Sequence, residues 1–252
     1  MTGKVYLVGA GPGAPDLLTL RAARLLETAD VVLHDALVHP DTLALAKRAH
    51  LVDVGKRYGK VSTEQRFIHR ALVAAAQSHA VVVRLKGGDP MLFGRAQEEI
   101  EALATAGIEC EVVPGVTAAL AAAATLRVSL TRRGIARTVA FLTPRVGRDE
   151  NASAWIPAAL GCDTVVLYMA AGASQSISAS LIEAGKRADT PAVLVESATL
   201  ADEARLFTTL GELAAASLPR AQGPVVMAIG DVFREASAIE ALARQEPRRH
   251  AL

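Results

Sequence analysis

Short β-branched runs alternate with longer helical patterns along most of the chain, and this alternation constrains the fold more than any other feature. In the first half, strand-like runs at 4–8, 30–34, 51–54, 81–85 and 111–113 are separated by helical patterns over 17–28, 41–48, 63–78 and 97–106. Parallel strands cannot be joined by a tight hairpin and need a crossover, so such alternation reads as βαβ units on a parallel sheet. The run "VVVRL" is apolar almost throughout, which suits a sheet covered on both faces. The second half repeats the theme, with strand-like runs at 138–142, 164–169, 192–196, 206–208 and 225–229. Its helical patterns lie near 153–160, 174–184 and 233–244, and an alanine-rich helix over 117–125 stands between the halves. The expected fold class is therefore α/β, in two α/β domains covering 1–116 and 117–245, with a polar tail at 246–252. A cleft between two such domains is where small-molecule sites preferentially form.

Composition excludes several classes of function. A formal net charge of +1 does not suit a nucleic-acid binder working by bulk electrostatics, though it allows a local basic patch. Cys110 and Cys162 share no CxxC spacing, so neither a disulfide framework nor a zinc site is indicated. The six histidines form no HxxxH or HExxH pair, and no metal is expected. No apolar run approaches the roughly 20 residues of a membrane span. The N-terminus enters a strand at once and lacks the apolar region of a secretory leader, so the expected location is the cytoplasm.

The residues at the strand ends carry the chemistry, because ligands of α/β proteins bind beyond the carboxyl ends of the strands. After 81–85 the chain turns on Gly87-Gly88 and presents Asp89, flanked by Arg84 and Lys86. Glycines there let backbone approach a ligand without interference from Cβ. A carboxylate at that point can hold a hydroxyl or an amine. Asp35, and then Lys56 and Arg57, follow the next strand-like runs in the same topological position. Each is, alone, either a solvated surface charge or a member of a ligand edge; their recurrence at three strand ends favours the edge. Pro114-Gly115 and Thr117 follow another strand, where Thr117 is either a helix cap or part of a ligand-facing helix start. Gly9, Gly11 and Ala14 satisfy a dinucleotide fingerprint, but Pro12 and Pro15 remove N–H donors that would cradle a pyrophosphate. Asp16 is the expected cap of the helix that follows. Neither a G-x-S-x-G elbow nor a P-loop occurs.

Taken in order, "VYLVGAGPGAPDLLTLRAARLLETADVVLHDALV", "VGKR", "VVRLKGGDPMLFGR", "VVPGVTAA", "SLTRR", "TVVLYM", "TPAVLVESAT" and "PVVMAIGDV" resemble the tetrapyrrole (corrin/porphyrin) methyltransferases over nearly the whole chain. The resemblance implies two α/β domains with S-adenosylmethionine bound in the cleft between them, S-adenosylhomocysteine as product, and a homodimer. It implies two successive methyl transfers to pyrrole carbons of uroporphyrinogen III, giving precorrin-2 on the branch toward sirohaem and cobalamin. A paralogue acting on a later precorrin shares the chemistry, and a dinucleotide-dependent oxidoreductase is the alternative from another class. By position, the resemblance assigns Pro12, Gly87, Gly88, Asp89, Leu92, Thr117, Ala118, Met169 and Ala198 to the cofactor. It assigns Asp35 to proton acceptance, Lys56 to proton donation and Arg84 to assisting the substrate. The substrate's eight carboxylates imply a local cluster of cations, with Lys56, Arg57, Arg84, Arg132, Arg133 and Arg145 as candidates. The chain carries no preceding dehydrogenase/chelatase module, so a single activity is expected. It departs from the family's pattern at Ala14, at Ala96-Gln97, at Arg132 and at 143–145.

Overall fold

Parity along the strands decides what each face of the first sheet packs against. The computed structural model describes residues 2–55, 61–146, 154–170, 172–216, 218 and 223–236, with 61–64 described by backbone only. The chain divides into two units, Met1–Ala118 and Ala119–Leu252. In the first, β1 (Lys4–Gly9), β2 (Val31–His34), β3 (His50–Asp53), β4 (Val81–Lys86) and β5 (Cys110–Val113) form one parallel sheet in the order β3-β2-β4-β1-β5. Its helices are α1 (Leu20–Thr28), α2 (Pro40–Leu43), α3 (Val61–Ser78) and α4 (Ala96–Thr105). Val5, Leu7, Val31, Leu33 and Val82 join Leu72 and Ala76 of α3 and Leu103 of α4 in one core. The alternate residues Val8, Val32, Val83 and Leu85 join Ala22 and Leu26 of α1 in a second. Both faces are thus covered, as the apolar runs lead one to expect, and each such side chain contributes about 1.5–3 kcal/mol by full burial.

Two helix starts differ from expectation. Asp16 does not cap α1: the segment Pro15–Leu17 makes a separate 3-10 turn, and Leu18 is extended. Thr19 caps the helix instead, its side-chain oxygen accepting from the Ala22 amide at 3.2 Å. The helix expected over 41–48 shortens to α2, the rest of it forming turns.

The second unit contains α5 (Ala118–Leu126), which begins at the junction, then β6 (Val139–Leu142), α6 (Trp155–Leu160), β7 (Thr164–Leu167) and α7 (Ser174–Glu183). The strands β8 (Pro191–Glu196), β9 (Ala204–Thr209) and β10 (Val225–Gly230) complete it. Here the expectation of a repeated parallel theme is corrected. The order is β6-β7-β10-β8-β9, with only β6 and β7 paired in parallel; β10 is antiparallel to β7 and β8, and β9 is antiparallel to β8. The physical reason lies in loop length, because the 197–203 link between β8 and β9 is too short for a crossover of a dozen or more residues. Strands β6, β7 and β8 nevertheless share one direction, so their carboxyl ends lie on one sheet edge. The helix expected over 233–244 falls mostly outside the described residues; Asp231–Phe233 is a 3-10 turn. Among the described residues no helix is long and apolar enough to cross a membrane.

Candidate functional site

At the carboxyl edge of the first sheet, three loops meet backbone against backbone. A Cβ on Gly9, at the end of β1, would lie 2.6 Å from the Gly115 Cα and 2.7 Å from the Gly88 carbonyl oxygen. A Cβ on Gly115, beyond β5, would lie 2.4 Å from that same oxygen. Gly11 and Gly88 exchange two backbone bonds, Gly88 N–H donating to Gly11 at 2.7 Å and Gly11 N–H to Gly88 at 3.2 Å. Both sit in the left-handed region, at φ 72° and 68°. Over Gly88 the nearest atom to a built Cβ is the Thr117 Cα at 3.9 Å, an ordinary van der Waals contact, so the bare backbone there is not crowded.

The sequence reading gives Asp89 a ligand to hold; in the structure its carboxylate also braces this platform. Its Oδ1 accepts from the Met91 amide at 2.8 Å and its Oδ2 from the Gly115 amide at 2.9 Å. One carboxylate therefore ties the loop after β4 to the loop after β5. Pro12, Leu92 and Ala118 are half-buried nearby in sequence to this edge, and Thr117 is buried.

Strand parity also explains the second cluster. Arg84 and Lys86 continue the Val82 face of β4, and Asp35 continues the Leu33 face of β2, so all three look toward α4. There Glu99 occupies a core position between Ala96 and Leu103 and is fully buried. Arg84 is only 2 % exposed; its Nη2 donates to Asp35 Oδ1 at 2.5 Å, its Nε to Glu99 Oε1 at 3.3 Å, and its Nη1 to the Leu85 and Leu33 carbonyls. Lys86 Nζ donates to the same Glu99 oxygen at 2.8 Å. Glu99 Oε2 is buried with no hydrogen-bond partner. Two cations and two anions alternate, which is what burial of charge demands. Burial and then the neighbouring Arg84 hold the Lys86 ammonium below the usual lysine range, against the opposing pull of Glu99. Burial, with Glu99 nearby, pushes the half-buried Cys110 thiol up to about 11, which keeps it protonated near neutral pH.

In the second unit, the edge shared by β6, β7 and β8 carries several non-glycine residues in the left-handed region. Met169 follows β7 at φ 54° with its side chain 45 % exposed. Ser197 and Thr199 follow β8 at φ 50° and 74°, with buried Ala198 between them. Such backbone is uncommon for any non-glycine residue and an outlier for β-branched threonine. The Tyr168 hydroxyl accepts from the Ala119 amide at 3.0 Å, and its ring meets Phe141 edge-on at 6.2 Å. A groove of about 520 Å³ lies along Leu120, Ala123, Arg127, Leu130 and Phe141, apart from the residues assigned from sequence.

The structure therefore gathers Gly87, Gly88, Asp89 and the Gly9 and Gly115 turns at one edge, and joins Asp35 to Arg84. Lys56 and Arg57 lie outside the described residues. Arg84 does not belong to a surface cluster of cations: it is in the core, with its donors engaged. Arg132 pairs with Glu235 at 3.1 Å on the surface, and Arg133 and Arg145 are exposed. Glu99 and Glu203 were not found by sequence reasoning; an acid within the Ala96–Leu103 apolar stripe was the available signal for Glu99. Among the described residues no group of His, Cys, Asp or Glu is placed to hold a metal.

The family model for Tetrapyrrole (Corrin/Porphyrin) Methylases matches residues 4–214. The chain is 46% identical to a uroporphyrinogen-III C-methyltransferase of Pseudomonas aeruginosa over 93% of its own length and 96% of the relative's. It is 44% identical to a siroheme synthase of Pseudomonas fluorescens over 92% of its length, but covers 51% of that longer protein. A solved structure of uroporphyrin-III C-methyl transferase from Thermus thermophilus, complexed with S-adenyl homocysteine, has a TM-score of 0.81 at 40% identity, covering 92% of this chain and 99% of that one.

Proposed function

The chain belongs to the tetrapyrrole (corrin/porphyrin) methylases, and on that premise we propose that it is an S-adenosylmethionine-dependent C-methyltransferase that converts uroporphyrinogen III to precorrin-2 by two successive methylations. This is the branch of tetrapyrrole synthesis toward sirohaem and cobalamin. The observation that carries the reading is the side-chain-free platform of Gly9, Gly88 and Gly115 at the sheet edge, in a chain alike to such enzymes over nearly its whole length. The platform fits a bulky cofactor, because it is lined by backbone and braced by the Asp89 carboxylate.

When bound, S-adenosylmethionine supplies an electrophilic methyl group on a sulfonium and leaves as S-adenosylhomocysteine. In the first unit we assign its contacts to Pro12, Gly87, Gly88, Asp89, Leu92, Thr117 and Ala118, with Asp89 also holding the loop that presents them. In the second unit we assign Met169 and Ala198. The electron-rich pyrrole carbon is the nucleophile, so the chain's task is alignment and charge management, and no metal is called for. Asp35, with a partly exposed carboxylate, is assigned to stabilise the cationic ring or take its proton. Arg84 fixes the direction of the Asp35 carboxylate, and so acts on the substrate through it. Lys56 is assigned as proton donor. The enzyme is further read as a cytoplasmic homodimer, checked by sedimentation.

Incubation with S-adenosylmethionine and enzymatically generated uroporphyrinogen III should give mono- and then dimethylated product by mass spectrometry. Absence of both sinks the reading; methylation of a later precorrin alone moves it to a paralogous substrate. Calorimetric binding of S-adenosylhomocysteine without binding of NAD separates it from an oxidoreductase.

A further inference from the structure

We infer that Glu203 is a positioning residue that holds the turn at 197–199 in its left-handed conformation and thereby shapes the cofactor contact assigned to Ala198. The inference rests on the cofactor reading above. Ala198 lies between two left-handed residues, Ser197 and Thr199, so the direction of its backbone is set by both. The conformation at Thr199, φ 74°, is one that a β-branched residue keeps only where its surroundings over-determine it.

Glu203 supplies that determination. Its Oε2 accepts from the Thr199 amide at 2.6 Å, and its side chain is only 10 % exposed. A charged acceptor makes this bond roughly twice as strong as a neutral one. The other oxygen, Oε1, accepts from Arg205 Nε at 2.6 Å, so the carboxylate is anchored on β9 while it reaches back across the loop. The opposite side of the turn is fixed as well. Ser197 N–H donates to the Pro224 carbonyl at 3.0 Å, and the Gly223 amide donates to Glu196 at 2.6 Å. A Cβ on Gly223 would come within 2.2 Å of the Ser197 hydroxyl, so the two segments pack closely there. At Thr199 the Glu203 carboxylate acts beside the backbone bond that closes the turn, from the Leu200 amide to the Ser197 carbonyl at 3.0 Å.

The test is calorimetric titration of S-adenosylhomocysteine into the unmutated protein and the variants Glu203→Ala, Glu203→Gln and Glu203→Ala/Thr199→Gly. Glu203→Ala should weaken binding about tenfold, with turnover at saturating cofactor nearly unchanged. Glu203→Gln keeps an acceptor for the Thr199 amide and should bind close to the unmutated protein. Thr199→Gly placed in the Glu203→Ala background should restore most of the affinity, since glycine adopts this φ without steric cost. Rescue by a residue that makes no new contact is not expected of a carboxylate that merely stabilises the fold. Unchanged affinity in Glu203→Ala, or a double variant as weak as the single, overturns the inference. If Glu203→Ala does not fold, the Glu203→Gln and double variants still decide it. Failure of the unmutated protein to bind S-adenosylhomocysteine instead removes the cofactor reading, and this inference with it.

Discussion

The two units bring backbone to a sheet edge by opposite means. In the first, the loops after β1, β4 and β5 lose their side chains: Gly9, Gly88 and Gly115 touch through main-chain atoms, and Asp89 pins two of the loops together. In the second, residues that bear side chains take up an unfavourable backbone after β7 and β8, at Met169, Ser197 and Thr199. The first solution has its cost in the unfolded state, where glycine is freest. The second has it in the folded state, where strain of about 1–3 kcal/mol per residue must be held by neighbours. The first unit also spends a buried ion network on orienting one partly exposed carboxylate, and no equivalent network is seen among the described residues of the second.

The comparison breaks most visibly at that network. Glu99→Leu leaves Arg84 and Lys86 in the core with one carboxylate between them, and should lower stability by about 3–5 kcal/mol in urea unfolding. Replacing Lys86 by Met in the same protein should recover part of the loss, because it withdraws one of the stranded charges. A Glu99→Leu protein as stable as the parent would mean that the cations reach water, and that Arg84 is free to meet substrate directly.

Gly115→Ala should rank next. Its Cβ would meet the Gly88 carbonyl oxygen at 2.4 Å, and neither backbone can yield without moving a strand end. Overpacking of this kind costs about 1–3 kcal/mol and here should sit at the top of that range, with binding of S-adenosylhomocysteine lost alongside. Asp89→Ala removes the acceptor of two backbone amides and should cost about 1–3 kcal/mol, weakening cofactor binding through the displaced loop. Asp89→Asn retains one acceptor oxygen and should lose less. If Asp89→Ala lowers affinity while leaving the thermal midpoint untouched, the carboxylate binds the ligand itself instead of bracing the loops.

The same contrast governs what could be read from sequence. Strands β1 to β5 lie within about a residue of their expected positions, because β-branched runs bounded by turns report a buried parallel strand strongly. The strand order of the second unit was hidden, since a β-run looks alike whether its neighbour is parallel or antiparallel; only the short 197–203 link carried that information. Gly87 and Gly88 announce a close backbone approach by residue type alone. Met169 and Ala198 announce nothing: they were assigned through the family resemblance, because left-handed backbone at Met, Ser or Thr leaves no mark in composition. Asp35 and Arg84 were legible as strand-end charges. Their union was not, for it depends on the β2–β4 register that sets Leu33 opposite Arg84 and on an acid carried by α4.

Thr199→Gly should give the smallest effect, and one of opposite sign to Gly115→Ala. With Glu203 intact the Thr199 amide keeps its acceptor, so affinity for S-adenosylhomocysteine should stay within about twofold of the parent. Relief of the left-handed strain should outweigh the added freedom of glycine in the unfolded chain, raising stability by about 0.5–1 kcal/mol, or a few degrees in Tm. A fall in Tm would show that Thr199 contributes more through its side chain than its backbone costs. The second unit's edge would then be held by side-chain packing as well as by Glu203. A rise would place the two units on opposite sides of one trade, the first damaged by gaining a Cβ and the second relieved by losing one.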